Sequence, residues 1–111
     1  MQPPFEKLAG LDRLIHEPAR LAILTALSQA ESVDFLFLQR LTGLTSGNLS
    51  SHLSKLEEGG LISVQKKFVG KTPKTSIRLL RKGREAVTAH WRMLEALKQE
   101  IDDWQAKQSP A

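Results

Sequence analysis

The chain has 111 residues, a length typical of a single domain, and its 41% hydrophobic and 25% charged residues are an ordinary globular composition. The absence of cysteine excludes disulfides and thiolate metal sites. No segment approaches the ~18 consecutive apolar residues of a membrane span, and no apolar signal sequence opens the chain. We therefore expect an intracellular, cytoplasmic protein that contacts no membrane and holds no metal or cofactor.

The basic side chains are concentrated in the middle of the chain. The net charge is +4 overall, yet ten basic residues stand against two acidic ones between Arg40 and Arg84. The remaining residues carry six basic and ten acidic side chains. From Gln65 to Arg84 there are eight Lys or Arg residues and no acidic residue. This asymmetry favours a face that meets a polyanion, although a solvated surface with a chance excess of bases would also account for it.

The first part of the sequence predicts two helices. Apolar residues recur at steps of three and four from Phe5 to Ile15, which is typical of an amphipathic helix. Pro18 suits the first turn of a second helix, which continues to about Gln29 and is followed by a short link, Ser32–Val33. Because the second helix is apolar almost all round, we expect it at the centre of the domain.

A helix-turn-helix arrangement is predicted next. Asp34 is expected to cap a third helix, Phe35–Thr42, that ends at Gly43. Thr45 is expected to cap a fourth helix that runs to Glu58, where two glycines stop it. Two helices joined by a short turn that contains glycine are the sequence form of this motif.

After the fourth helix the apolar period shortens to that of a strand. Alternation predicts two strands, Ile62–Phe68 and Thr75–Leu80, joined by a turn that contains Gly70. Pro73 is expected at the hairpin tip and not in a strand, because proline cannot donate to a ladder. The last segment predicts one long helix from Gly83 to about Gln108, followed by a frayed tail at residues 109–111.

Several motifs resemble winged-helix transcriptional regulators of the MarR and ArsR type, namely Pro18–Leu24, Leu49–Glu57 and Gly60–Ile62. Phe68–Thr75 followed by Leu79–Arg84 resembles most closely the small MarR-like winged helix DNA-binding domain proteins, which have little beyond the winged helix and its dimerisation helices. The resemblance covers about residues 11–97. It implies a dimeric protein that binds double-stranded DNA and regulates transcription.

The predicted fold class is therefore mainly α with a β-hairpin wing, a winged helix-turn-helix with N- and C-terminal dimerisation helices. The expected boundaries are residues 1–17 for the N-terminal dimerisation helix, 18–82 for the winged helix-turn-helix DNA-binding domain, 83–108 for the C-terminal dimerisation helix and 109–111 for the tail.

Three features depart from the family pattern. The family usually has Leu-Thr-x-x-Gly before the last helix, whereas this chain has Leu80 in place of the capping threonine. Wing tips in the family often carry an Asp and an Arg, whereas this tip offers Lys71 and Lys74, so it has no arginine to insert into the minor groove. The cysteine metal box of arsenical repressors is missing.

The fourth predicted helix has the composition of a recognition helix. On a helical wheel, Leu49, Leu53 and Leu56 share one face, which we expect in the core. The opposite face is small and polar, with one cation and no acid before Glu57, and it suits the major groove. The first turn also offers backbone N–H groups to a phosphate. The predicted DNA contacts from this helix are Thr45, Ser46, Gly47, Asn48, Ser51, His52 and Lys55.

The hairpin adds basic side chains that no acid balances. Such cations suit phosphate and minor-groove contacts, which position a domain without specifying sequence. Lysines on an edge strand also protect against aggregation, so both interpretations stand at this point. The predicted DNA contacts from the hairpin are Lys66, Lys67, Lys71, Thr72 and Lys74.

The apolar stripe of the last helix predicts a homodimer. A long helix with such a stripe on a small domain usually buries it in a second copy, and two recognition helices then address half-sites about one helical turn apart. Trp91 and Trp104 could also line a pocket for a small-molecule effector of unknown identity. The predicted dimerisation residues are Phe5, Leu8, Leu11, Val87, Trp91, Leu94, Leu97, Ile101 and Trp104.

No constellation of catalytic residues is apparent. His16, His52 and His90 are far apart in sequence and share no ligand-like spacing, and no nucleophile–base pair or glycine-rich phosphate loop is present. The sequence therefore predicts a non-enzyme, a sequence-specific double-stranded DNA-binding transcriptional regulator that acts as a homodimeric repressor. The alternative is a winged helix that serves protein–protein contact within a larger assembly.

Overall fold

The computed structural model describes residues 3–108, which form helices and strands around a shared core. In chain order the elements are α1 (Pro4–Ala9), α2 (Pro18–Leu27), β1 (Val33–Asp34), α3 (Phe35–Thr42), α4 (Ser46–Glu58), β2 (Ile62–Val69), β3 (Thr72–Leu79) and α5 (Arg81–Gln108). Helices α3 and α4 form the helix-turn-helix, and β2 and β3 form the wing, so the predicted mainly α winged helix-turn-helix fold is confirmed, while the dimerisation role of the terminal helices stays a prediction. None of the described helices is both long enough and apolar enough to cross a membrane. The proposed domain boundaries stay a prediction, and the predicted tail lies outside the described residues.

Helix α2 lies at the centre of the domain, where its apolar surface predicts it. Its Ile23, Leu24 and Leu27 are buried, and the helix packs against α3, α4, α5 and β3. Burial of each such side chain stabilises the fold by about 1.5–3 kcal/mol. The same core includes Ile15, which precedes α2, and Val87 of α5. The segments that flank the winged helix therefore share its core.

Helix α1 is shorter than the apolar spacing predicts. It ends before Gly10, whose N–H donates to the carbonyl oxygen of Glu6 (3.1 Å). Residues 11–17 form turns, in which the carbonyl oxygen of Asp12 accepts the N–H of His16 (2.7 Å). Apolar side chains of this segment still face the interior, so their spacing imitates a continuous helix where the backbone forms turns.

A short strand, β1, replaces the link that the sequence predicts before α3. Val33 pairs with Ile77 and Asp34 with Ser76, both antiparallel, so the sheet has the strand order β1-β3-β2. The expectation of a link was wrong because a two-residue strand has no periodicity of its own. Its existence depends on a partner strand that is distant in sequence.

Pro73 lies within β3, which corrects its predicted place at the hairpin tip. The turn has only two residues, and Gly70 in its first position has φ 65°, as a type II′ turn requires. Val69 and Thr72 close this loop as a hydrogen-bonded pair. Ladder alternation then makes Phe68 and Pro73 a pair without hydrogen bonds. The missing N–H of the proline therefore costs no ladder bond.

Helix α5 begins at Arg81, slightly before the predicted start at Gly83. A Cβ built on Gly83 would overlap the carbonyl oxygen of Leu61 and come within 2.7 Å of Cδ1 of Leu79. The same carbonyl accepts the N–H of Leu80 (2.9 Å). Glycine is therefore required for this close approach, which joins the start of α5 to the segment between α4 and β2.

Candidate nucleic-acid interface

Helix α4 is positioned by the caps that the sequence predicts. Asp34 caps α3, because its Oδ2 accepts the N–H of Leu36 (3.1 Å). Gly43 ends α3 in the left-handed conformation (φ 70°), which turns the chain away from the helix axis. Thr45 caps α4, because its Oγ1 accepts the N–H of Asn48 (3.1 Å). These local bonds set where α4 begins and how the chain enters it.

Helix α4 exposes its polar face and buries its apolar one. Leu49, Leu53 and Leu56 are buried, as the helical wheel predicts. The exposed side has no acidic residue before Glu57, so it offers donors and one cation to base edges and phosphates. Six of the predicted contact residues from this segment are exposed: Thr45, Ser46, Gly47, Asn48, Ser51 and Lys55.

The lysines of the hairpin lie on both of its faces. All five predicted wing residues are exposed: Lys66, Lys67, Lys71, Thr72 and Lys74. Lys67 pairs directly with Lys74 on the outer face, whereas Lys66 lies on the face towards α4. Like charges directly opposite each other destabilise a sheet, and the hairpin has no acidic residue to offset this pair. An anionic partner would remove that repulsion.

Three further exposed residues, none of them among the predicted DNA contacts, lie beside these side chains, although the helical wheel already places Ser54 on the polar side of α4. Ser50 and Ser54 lie one turn apart on α4 and, with Lys66 and the acidic Glu57, line a hollow of about 330 Å³ between the helix and the wing. Arg78 is exposed on the same face of β3 as Lys74. The four-residue spacing of the serines and the two-residue alternation along β3 are the signals that could have found them.

Two basic side chains of the segment Gln65–Arg84 form hydrogen bonds that stabilise the fold. The Nζ of Lys82 donates to the carbonyl oxygen of Gly59 (3.1 Å), and Nη1 of Arg84 donates to the carbonyl oxygen of Ser28 (3.3 Å). Both bonds hold the start of α5 against the winged helix. The basic side chains free for a polyanion are therefore mainly those of the wing.

His52 is half-buried and contacts α2. Its Nδ1 lies 3.6 Å from Oε2 of Glu17 and 3.5 Å from Nη1 of Arg20. Burial by itself raises the pKa of the Glu17 carboxyl, but the backbone N–H groups of Arg20 and Ala19 and the nearby positive charges hold that pKa below its usual 4.5. Glu17 is therefore a carboxylate at neutral pH. The one predicted DNA contact of α4 that is not exposed thus belongs to an intramolecular cluster.

Two histidines that are distant in sequence meet in the structure. Nδ1 of His16 lies 3.0 Å from Nε2 of His90, which is only 4% exposed. Nothing in the spacing of the histidines predicts this contact, because it depends on how α5 packs against the loop before α2. Within residues 3–108 no group of three or more histidine, cysteine or carboxylate side chains is arranged to hold a metal.

We expect the folded protein to lose stability as the pH falls below 6.5. Burial, and then the charge of His16, lower the pKa of His90 from its usual 6.5, although Asp12 acts in the opposite direction. The unfolded chain then binds a proton more readily than the folded one, so stability that is complete above pH 6.5 is lost as the pH falls towards the folded pKa. Thermal melting should show a Tm that declines in acid for the wild type and a flatter profile for His90→Gln. Parallel profiles for the two proteins would contradict this expectation.

The residues predicted to form dimer contacts differ in exposure. Phe5, Leu8 and Trp91 are exposed, and Leu94, Ile101 and Trp104 are half-buried. Leu11, Val87 and Leu97 are buried within the single chain. Val87 in particular packs into the core of its own domain, and its role in a dimer stays a prediction.

Helix α1 packs along the distal part of α5. The rings of Phe5 and Trp104 meet edge to face, with centroids 6.1 Å apart, and Nζ of Lys7 lies 3.2 Å from Oε1 of Glu100. The apolar stripe of α5 is therefore partly covered by the same chain. Large apolar side chains of both helices still remain exposed.

Trp91 borders a shallow hollow between α2 and α5. Its Nε1 donates to Oγ1 of Thr25 (3.0 Å), which fixes the indole across the helix pair. The hollow has a volume of about 410 Å³, and Leu21, Ala22 and Ala26 are among its lining residues. The lining is therefore suited to apolar groups.

Known proteins resemble the chain over most of its length. A family model described as a winged helix DNA-binding domain matches residues 19–98. An uncharacterized protein of Methanocaldococcus jannaschii is 36% identical over 74 residues, which are 67% of this chain and 80% of that protein. The HTH-type transcriptional regulator YgaV of Escherichia coli is 35% identical over 66 residues, or 60% and 67% of the two chains. The structure of a transcriptional regulator homologue from Pyrococcus horikoshii aligns with a TM-score of 0.75 at 28% identity, covering 93% of this chain and 98% of that one.

Proposed function

The chain belongs to the family of winged helix DNA-binding domains, and from that premise we propose that it is a transcriptional regulator that binds a specific duplex sequence as a homodimer and represses by occluding the promoter. The observation that carries this proposal is the exposed polar face of α4, which has no acidic residue before Glu57, beside a wing with four exposed lysines. The helix face would enter the major groove and read base edges, while the wing lysines contact flanking phosphates.

Selection of bound duplexes from a random DNA pool tests this function. A homodimer should enrich a palindromic motif with half-sites about one helical turn apart, because each copy of α4 addresses one half-site. A variant with both Asn48 and Ser51 changed to Ala should enrich the motif poorly. If the wild-type protein enriches no motif from the pool, sequence-specific binding is contradicted.

A second copy of the chain is the partner we propose for the exposed apolar surface of α1 and α5. Phe5, Leu8 and Trp91 are large, apolar and exposed, and they lie on two helices that pack against each other. A twofold interface would cover such side chains and hold the two copies of α4 at a set separation.

Changing Trp91 and Ile101 together to Glu should yield monomers or unfolded chain. A carboxylate without a partner is costly to desolvate, so it opposes burial at either position. Sedimentation at micromolar concentration measures the oligomeric state. Thr88→Glu with Ala96→Glu adds the same two charges at exposed positions of α5 outside the apolar stripe, and it should leave the dimer intact. A wild-type monomer would overturn the dimer proposal.

A winged helix used for protein contact is the second candidate function, and one observation favours it. Leu36, Phe37 and Leu41 of α3 are 59%, 52% and 55% exposed. An apolar patch of this kind can mark a protein interaction surface. If neither α4 nor wing substitutions change duplex binding, this candidate replaces the first.

We propose that the protein acts in the cytoplasm, together with its DNA, without catalytic activity or a cofactor. A small-molecule effector of unknown identity would bind in the hollow beside Trp91. The hollow beside Trp91, at about 410 Å³, falls within the roughly 300–1,000 Å³ of typical ligand pockets.

A further inference from the structure

A polar cluster joins the start of α2 to the middle of α4. Glu17 is the N-cap of α2, and its Oε2 accepts the N–H of Arg20 (2.9 Å). The same oxygen lies 3.6 Å from Nδ1 of His52. Nη1 of Arg20 lies 3.5 Å from that nitrogen. Three side chains from two helices therefore meet at one point on α4.

The α2 side of this cluster is held by further bonds. Nε of Arg20 donates to the carbonyl oxygen of Leu14 (2.7 Å), and its Nη2 donates to that of Arg13 (2.9 Å). His16, in the same loop, contacts His90 of α5 at 3.0 Å. The planar guanidinium is thus fixed by two carbonyl groups, and the loop around it is attached to a third helix. The groups that face His52 therefore have little freedom to move.

The same loop also contacts the C-terminal end of α4. A Cβ built on Gly59 would lie 2.8 Å from Cδ2 of Leu14, so this side chain packs directly on the helix end. Gly59 follows His52 by seven residues, which is two helical turns, so both contacts fall on one face of α4 about 10 Å apart along its axis. Two such points fix the direction of a helix axis.

We propose that Glu17, Arg20 and His52 form a polar clamp that orients α4 for base recognition, so that His52 is a positioning residue and not a DNA contact. The clamp rests on the proposed function, in which α4 enters the major groove. Hydrogen bonds to base edges require well-aligned donors and acceptors, whereas attraction to phosphates acts over ~10 Å. Loss of the clamp should therefore weaken specific binding and leave non-specific binding unchanged.

Binding of Glu17→Gln and His52→Gln to the preferred and to a random duplex, over a range of salt, tests the clamp. Each variant should lose roughly tenfold in affinity for the preferred duplex, comparable to one lost base contact. Affinity for the random duplex and the salt dependence should not change. A direct phosphate contact by His52 would instead reduce the slope of log K against log salt by about 0.9. A purely electrostatic effect of Glu17 would raise affinity for both duplexes when its charge is removed. Either result overturns the clamp.

Glu58→Gln is the matched control, because it removes one carboxylate from an exposed position on the same helix. It should not reduce affinity for the preferred duplex. The double variant Glu17→Gln/His52→Gln should lose no more affinity for the preferred duplex than the weaker-binding single variant, since both residues act through one contact. A loss equal to the product of the two single losses would contradict this.

Thermal melting establishes that each variant is folded in the binding assay. His52→Gln leaves the cap of α2 intact, so it carries the test alone if Glu17→Gln unfolds. If the wild type binds no duplex in preference to random DNA, both the proposed function and the clamp are wrong. If the wild type has a preferred duplex and Glu17→Gln and His52→Gln bind it as Glu58→Gln does, only the clamp fails.

Discussion

Gly83→Ala should destabilise the fold by about 3 kcal/mol, near the upper end for overpacking, because the added methyl group meets backbone and not a flexible side chain. The methyl group would overlap the carbonyl oxygen of Leu61 and press on Leu79. Movement of that carbonyl would also break its bond from the N–H of Leu80. A loss of this size should lower the Tm by more than about 10 °C in thermal melting.

Gly47→Ala is the matched control for this prediction. It makes the same change in the first turn of another helix, where nothing lies within 4 Å of the added Cβ. The fold should gain up to about 0.8 kcal/mol from the better helix propensity of alanine. The same variant should bind its preferred duplex more weakly if the glycine serves close approach to DNA. Similar Tm changes for both variants would refute the packing argument for Gly83.

Substitutions in α4 and in the wing should weaken DNA binding in different ways. Asn48→Ala or Ser51→Ala should cost roughly 1–3 kcal/mol on the preferred duplex and little on random DNA, because a base contact matters only where the right base is present. Neutralising Lys71 and Lys74 should weaken binding to every duplex alike. Each lost phosphate contact should reduce the slope of log K against log salt by about 0.9.

Salt titrations of each variant on both duplexes measure this difference. Lys98→Gln is the charge control, because Lys98 lies on α5 and pairs with Asp102 at 2.7 Å, away from α4 and the wing. It should leave the slope unchanged. Equal losses on both duplexes from α4 and wing variants would identify a non-specific architectural binder instead of a sequence reader. A Lys55 variant could follow either the base-contact or the phosphate-contact pattern, since Lys55 lies in the C-terminal half of α4, where the DNA backbone would be nearer.

The elements of the winged helix could be predicted from local chemistry. Asp34 and Thr45 accept hydrogen bonds from N–H groups two and three residues ahead, so their effect is contained within one turn of chain. The buried stripe of Leu49, Leu53 and Leu56 follows from the period of a helix. For the same reason the sequence alone predicts the polar face of α4 and, with it, most of the candidate interface.

Local chemistry also explains the errors in the sequence prediction. The apolar spacing from Phe5 to Ile15 matches a helix, but the backbone after Gly10 forms turns that satisfy the same spacing. The lack of a backbone N–H in Pro73 predicts a place outside the strands. In a hairpin, however, every second residue donates no hydrogen bond to the opposite strand, and Pro73 occupies such a position. Both errors arise where a local rule permits two backbone solutions and tertiary contacts select one.

By itself, the sequence determined the order of the elements, the face that α4 buries and the uneven distribution of charge, because each depends on neighbours within a few residues or on composition alone. Only the tertiary structure decided that His16 meets His90 and that Glu17 and Arg20 meet His52. These contacts depend on how α2, α4 and α5 pack around buried apolar side chains. Hydrophobic burial is non-directional, so spacing along the chain predicts which face turns inward but not which polar groups then come within reach of each other.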